Sequence, residues 1–182
     1  MLIRELKLEN KYEGVFVEYS RDLTSYSTLQ LSGVGDVITV SNVSSLCSVV
    51  SDLKKNKCEY RILGKGSNVL IDECSTDPYI KIDFTFEKSC LDEDANEFDV
   101  PASAPLNILT AAAIKHGFIG WEVFTGIPGS LGGAIVMNAG TGLGEISNIV
   151  KEVTVVGGDG ELIVKKVSEK DFSYRTNHFL EA

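Results

Sequence analysis

The segment GIPGSLGGAIVMNAG, Gly126 to Gly140, places five glycines and one proline in fifteen positions yet stays apolar. A linker would be polar and a helix would avoid so much glycine, so the backbone itself must come close to something. Two explanations fit: tight packing of one element on another, or close approach of a flat ligand. Pro128 stiffens the entry. Ser130 is placed to cap a short helical turn from Leu131 to Val136, whose N–H groups would then be free for a phosphate.

A second glycine loop, GKGSNVLI (64–71), follows the apolar run EYRIL. Gly64 and Gly66 allow a tight turn that exposes successive N–H groups, with Lys65 adding charge and Ser67 and Asn68 adding side-chain donors. A plain tight turn is the alternative. The loop is not a dinucleotide fingerprint, because the third glycine is missing and the apolar run after it reads as a strand. Nor does it end in the G-K-[ST] of a P-loop. Taken together, the two loops suit a ligand with phosphates and a flat apolar ring, which describes a nucleotide cofactor without saying which.

Periodicity supplies the frame around these loops. Strands are expected at 36–40, 59–63, 69–71 and 79–87, the last from its alternation of apolar and polar residues. A helix is expected in SNVSSLCSVVSDLKKNK, with Leu46, Val49, Val50 and Leu53 on one face and Ser41 as N-cap. SAPLNILTAAAIKHG predicts a second helix carrying Leu106, Leu109 and Ala113, capped by Ser103 and stopped at Gly117. KEVTVVGGDGELIVKKV predicts two strands joined by a turn around Gly157–Gly160. The whole reads as α+β in two lobes.

Composition excludes several classes. The formal net charge of −9 argues against nucleic acid, which needs a basic footprint. No run approaches the roughly 20 apolar residues that span a bilayer. The charged start MLIRELKLENKYEG has no signal-peptide core, which makes the expectation cytoplasmic. Cys47, Cys58, Cys74 and Cys90 form no C-x-x-C pair and read as free thiols, and with only His116 and His178 beside them no metal spacing arises.

The segments YRILGKGSNVLI (60–71), GWEVFTGIPGSLGGAIVMNAG (120–140), GE (144–145) and DFSYRTNHF (171–179) together resemble the UDP-N-acetylenolpyruvoylglucosamine reductase (MurB) family of peptidoglycan synthesis. The resemblance spans roughly residues 27 to 179. It implies a two-lobed FAD-binding fold of the vanillyl-alcohol-oxidase (PCMH) type, with the first lobe at 1–82 and the second at 83–182. It further implies that Gly64, Lys65, Gly66, Ser67, Asn68, Val69 and Leu70 wrap the FAD pyrophosphate. Gly126, Ile127, Pro128, Gly129, Ser130, Gly132 and Gly133, with Asn138, Ala139, Gly140 and Glu145, would line the rest of the cofactor. In the family NADPH reduces the flavin, and a hydride then passes to the enolpyruvyl double bond of a UDP-sugar. Negative charge builds up beside the substrate carboxylate and needs a fixed cation. The arginine of the family's Y-R-x-S-x-F motif supplies it, and Arg175 holds that place. Tyr174 is expected to pack rather than react, and His178 has no partner visible in the sequence.

The sequence departs from the family in three places. MNAGTGLGE has Gly142 where the family has a tyrosine, and YR-x-S becomes YRTN. No segment stands in for S-x-G-S-x-F-K-N-P, the part of a third, substrate-binding domain that carries the proton-donating serine. The chain therefore reads as ending before that domain. Three readings stay open: a reductase of this family acting on a nucleotide-sugar, an FAD-binding module without reductase activity, or a non-flavin interaction domain. An apolar face left by the absent domain would favour self-association or a partner chain.

Overall fold

The computed structural model describes residues 3–92 and 95–180. The chain divides into two compact units, residues 1–84 with 156–163 and residues 85–155 with 164–182.

Unit 1 begins with the short helix α1 (Leu8–Lys11) and strand β1 (Val15–Asp22). These are followed by β2 (Val34–Val40), helix α2 (Val43–Lys55), β3 (Arg61–Leu63) and β4 (Tyr79–Ile82). The sheet order is β1-β2-β4-β3, with β1 antiparallel to β2 and the other pairs parallel. Side chains alternate across a sheet, so its two faces bury different sets of residues. Ile38, Val40 and Ile80 pack with Leu46, Val49, Val50 and Leu53 of α2. Val37, Leu63 and Tyr79 point the other way and form a second cluster with Leu23 and Ile71.

In unit 2, α3 (Leu106–His116) and α4 (Leu131–Val136) surround a core of Leu91, Leu106, Leu109, Val123, Phe124, Ala134 and Ile146. Beyond α4 come two short hairpin strands, β5 (Gly140–Thr141) and β6 (Gly144–Glu145). A longer pair follows, β7 (Glu152–Val156) with β8 (Leu162–Lys166), joined through Gly157–Gly160 as expected. The tip of that pair belongs to unit 1, where Asp159 Oδ1 lies 2.7 Å from Lys54 Nζ. The last pair is β9 (Phe172–Ser173) with β10 (Thr176–Asn177). The mixture of helix and strand is the α+β content expected.

Several local expectations need correction. No strand forms over 69–71: Leu70 is exposed, only Ile71 is buried, and the chain returns to the sheet through a bridge between Val34 and Cys74. The strand expected at 79–87 ends at Ile82, because β2 and β3 offer no further partners; the Asp83 N–H on the Val40 carbonyl is the last rung. α2 is capped by Asn42, not Ser41. Asn42 accepts from the Ser45 N–H at 2.8 Å, while the Ser41 hydroxyl donates to the Gly14 carbonyl. Ser103 does not cap α3, which starts at Leu106 because the carbonyls of Ala102 and Ala104 are already engaged by Gly132 and Leu131. Gly117 ends α3 at φ 70, as the sequence indicates.

Asn42→Ala is expected to cost about 1–2 kcal/mol of urea stability, since it also removes a bond to the Glu13 carbonyl. Ser41→Ala should cost about 0.5 kcal/mol or less. A second test concerns Asp52, which ties α1 to α2 by accepting from the Tyr12 hydroxyl at 2.8 Å and from Lys11 at 3.1 Å. Burial acts to raise its carboxyl, but these two donors outweigh burial and hold it below the ordinary value of 3.8. A depressed folded value means stability that is present above the ordinary one and lost as pH falls through the folded one. Asp52→Asn should therefore lose about 1 kcal/mol near neutrality, and the gap to wild type should close in urea titrations below the carboxylate range.

Candidate functional site

The loop 64–70 is held at both ends by one apolar cluster, through Leu63 (2% exposed) before it and Ile71 (6%) after it. Its middle is pinned to the segment 26–28. The Thr28 N–H donates to the Gly66 carbonyl at 3.0 Å. Gly66 has φ +69, and a Cβ there would lie 1.9 Å from the Tyr26 carbonyl oxygen. Only glycine fits that position, which is a packing requirement. Packing does not explain the rest of the loop. Among the described residues, the N–H groups of Lys65, Gly66, Ser67 and Asn68 have no hydrogen-bond acceptor. Lys65, Ser67 and Asn68 are exposed, and Val69 is half-buried in the cluster that anchors the loop. The arrangement is a rigid turn with a row of unpaired donors beside a lysine, and such a row suits an anion.

The segment 126–140 uses its glycines in two ways. Gly132 is a packing glycine: a Cβ would meet the Ala102 Cβ at 2.8 Å. Here the chain runs beside residues 102–106, with Leu106 N–H on the Gly129 carbonyl, Leu131 N–H on Ala104 and Gly132 N–H on Ala102. These bonds occupy two donors of the first turn of α4. Ser130, only 6% exposed, sits at the cap position without a capping bond. The expectation of free N–H groups at this helix start therefore fails for Leu131 and Gly132. Gly126 and Gly133 are different. Gly126 has φ +76 with nothing within 4 Å of a Cβ, and at Gly133 only the Ser130 Oγ comes near, at 3.4 Å. Neither is demanded by protein packing, and Ile127 and Pro128 between them lie partly or fully exposed.

The MNAG and GE segments form a knot. Asn138 is 1% exposed, with φ 40, and its Nδ2 donates to Glu145 Oε2 at 2.8 Å and to the Ser173 carbonyl at 3.1 Å. The Glu145 carboxylate also accepts the Asn148 N–H in a capping box. Both side chains thus bond within unit 2. Gly140 lies against Gly144 and Glu145, where a Cβ would be 2.6 Å from the Gly144 carbonyl oxygen. Ala139 donates to Ala134 and accepts from Ile146. Gly142 stands at the exposed tip of the β5–β6 hairpin, with nothing near a Cβ.

Arg175 lies in the turn between β9 and β10, exposed and at φ 59. Its Nη2 donates to the Gly140 carbonyl at 3.4 Å, and its guanidinium stands 5.4 Å from the Tyr174 ring centre. Tyr174 is 81% exposed, so the expectation that it packs fails. His178 does have a partner, Ser173 Oγ at 2.6 Å from Nε2, a pairing across a hairpin that residue types alone do not announce. Asn177, where the family carries serine, is 4% exposed and donates to the Val136 carbonyl at the end of α4. Just before β9, the Asp171 carboxyl is held below its ordinary value by the N–H and hydroxyl of Ser168.

The pattern that defines the FAD binding domain matches residues 36–165, which include both glycine loops and the segments between them. The chain belongs to the FAD-binding domain family. It is 30% identical over 174 residues to UDP-N-acetylenolpyruvoylglucosamine reductase of Clostridium botulinum, covering 94% of this chain and 56% of that protein. The enzyme of the same name from Chlamydia pneumoniae is 34% identical over 160 residues, 86% of this chain and 51% of that protein. The crystal structure of UDP-N-acetylenolpyruvylglucosamine reductase (MurB) from Thermus caldophilus superposes with a TM-score of 0.70 at 31% identity, covering 90% of this chain and 56% of that one. The resemblance read from the motifs is thereby established, as is the FAD-binding fold. The chain spans about half the length of the curated relatives it matches. Among the described residues, no helix is long and apolar enough to cross a membrane.

The two adjacent glycines of α4 separate the two uses of glycine. Gly132→Ala is expected to destabilise by about 1–3 kcal/mol through overpacking. Gly133→Ala should leave thermal stability unchanged or raise it by up to about 1 kcal/mol, the helix preference of alanine over glycine. Thermal unfolding of the two variants decides the point.

Proposed function

We propose that this chain binds FAD and carries the flavin-handling part of an NADPH-dependent reductase acting on an enolpyruvyl UDP-sugar. The observation that carries the reading is the row of unpaired backbone donors at 65–68 inside a family match to FAD-binding domains. These donors, with Lys65, fit a pyrophosphate. The bare backbone at Gly126 and Gly133 fits a flat ring, since no protein atom fills the space that a side chain there would take. When bound, FAD supplies a two-electron carrier that receives hydride from NADPH and yields it to the enolpyruvyl double bond.

The chain's own residues bind and stabilise. N–H groups of the 64–70 loop orient the phosphates, and Leu63 and Ile71 keep that loop from collapsing onto itself. Arg175 offers a guanidinium on the turn between β9 and β10, for the negative charge that would develop beside the substrate carboxylate. Asn138 and Glu145 act behind the surface, as scaffold. A nucleotide-sugar substrate and a cytoplasmic location follow from this reading. A second reading, an FAD-binding module without substrate turnover, draws support from the family match itself, which is to an FAD-binding domain over residues 36–165.

Titration of the purified protein with FAD tests both readings, and a protein that stays colourless and leaves flavin fluorescence unquenched would remove them together. Bleaching by NADPH followed by reoxidation with the enolpyruvyl UDP-sugar selects the reductase; bleaching without reoxidation selects the module. Gly133→Ala should weaken FAD binding about tenfold while the fold stays as stable as wild type, an outcome that packing alone does not produce. Arg175→Ala should leave FAD affinity within about twofold and lower substrate turnover about a hundredfold, the scale of losing one charge-stabilising donor. Loss of flavin in that variant would place Arg175 in the cofactor site instead.

A further inference from the structure

Asn138 carries more connections than any ligand-lining role requires. It is buried, and its amide joins three separate stretches of unit 2. Nδ2 donates to Glu145 Oε2 on β6 at 2.8 Å and to the Ser173 carbonyl on β9 at 3.1 Å, and Oδ1 accepts the Ser147 N–H at 3.3 Å. Its backbone sits at φ 40, a left-handed conformation that asparagine adopts more readily than other non-glycine residues. Ser173 is two residues before Arg175. Within itself the hairpin is tied by the β9–β10 pairing, the His178 N–H on the Asp171 carbonyl and Ser173 Oγ beside His178 Nε2. The exposed Arg175 adds one long bond, at 3.4 Å, to the Gly140 carbonyl. The other anchor of the hairpin is Asn177, on the far strand, bonded to the Val136 carbonyl at 3.0 Å. The hairpin is therefore fastened by one asparagine on each strand, and Asn138 fastens the strand that leads into Arg175.

We propose that Asn138 is a positioning residue, which holds the Arg175 hairpin in register with residues 138–145 by donating simultaneously to Glu145 and to the Ser173 carbonyl. The catalytic meaning of that register rests on the reading of Arg175 given above; the fastening itself does not. Both acceptors draw on one buried amide: Asn138 is 1% exposed, so a donor lost there is not readily replaced by water. Aspartate is the discriminating replacement. It keeps the shape, tolerates the backbone conformation and still accepts from Ser147, but it sets an oxygen against two oxygens. Adding Glu145→Gln reverses the pair: the new amide donates to the aspartate and its oxygen still accepts the Asn148 N–H.

Hydrogen exchange on the full chain without FAD reads the fastening directly. Asn138→Asp should speed exchange of the amides at 172–180 about tenfold or more, while amides in α2 keep wild-type rates. The double variant Asn138→Asp/Glu145→Gln regains the bond to position 145 but still offers the Ser173 carbonyl no donor, so its exchange at 172–180 should stay about tenfold above wild type. Should the single variant fail to fold, the double variant is expected to restore folding. Unchanged exchange in Asn138→Asp, uniform acceleration across α2 and the hairpin alike, or a folded double variant with wild-type exchange at 172–180 would each overturn the proposal. Failure of the functional reading shows elsewhere, in the FAD titration and in Arg175→Ala, and leaves the exchange result standing. With both intact, turnover lost in Asn138→Asp should stay low in the double variant.

Discussion

Burial of both faces of the parallel pair β2–β4 is the constraint on which unit 1 depends. One face, through Ile38, Val40 and Ile80, needs α2 to cover it. The other, through Val37 and Tyr79, needs a second cover, and the chain supplies this with Leu23, Leu63 and Ile71. The last two of these bracket the loop 64–70. Removing apolar surface from water on that face therefore also draws the two ends of the loop together and sets its width. The unpaired donors at 65–68 are a by-product of this geometry: residues between two buried anchors turn too tightly to join the sheet, and their N–H groups are left without an acceptor.

In unit 2 the equivalent constraint is polar. Residues 129–132 bond the backbone at 102–106, which leaves no room for a side chain at position 132. The same pairing consumes the carbonyls that would have begun α3 earlier and the N–H groups that would have begun α4 with free donors. One set of hydrogen bonds thus decides where two helices start. It also directs any ligand contact away from the start of α4 and toward Gly126 and Gly133, where the backbone is bare.

Much of this was legible in the sequence, and what was not has physical causes. The face of α2, the stop at Gly117 and the turn at 157–160 follow from spacing and from single residues with strong local preferences. β1 was missed because VFVEYSRD alternates over only part of its length before a bulge between Glu18 and Arg21, where Ser20 takes φ 51. Ser41 and Ser103 were sound cap candidates by type, but a cap is decided by which residue's oxygen meets the third N–H, and competing tertiary bonds moved both helix starts. The motifs mark positions along the chain but not what each side chain bonds. Asn138 and Glu145, read from the resemblance as cofactor-lining, bond each other within unit 2.

That difference bears on what the motifs encode. In GKGSN the groups left without an acceptor are backbone donors, which any residue could supply, and the glycine within it that is irreplaceable, Gly66, is demanded by a carbonyl of the protein itself. In MNAG and GE the named side chains bond one another and the Arg175 hairpin. Several of the residues that identify this family by sequence therefore shape the backbone. A chain can change the outward positions freely, as Gly142 in place of an aromatic residue illustrates at an exposed hairpin tip, and still keep the donors in place. Binding of FAD should thus survive alteration of exposed loop side chains better than alteration of Gly66, and it should depend on Lys65 chiefly through charge, which rising salt would screen.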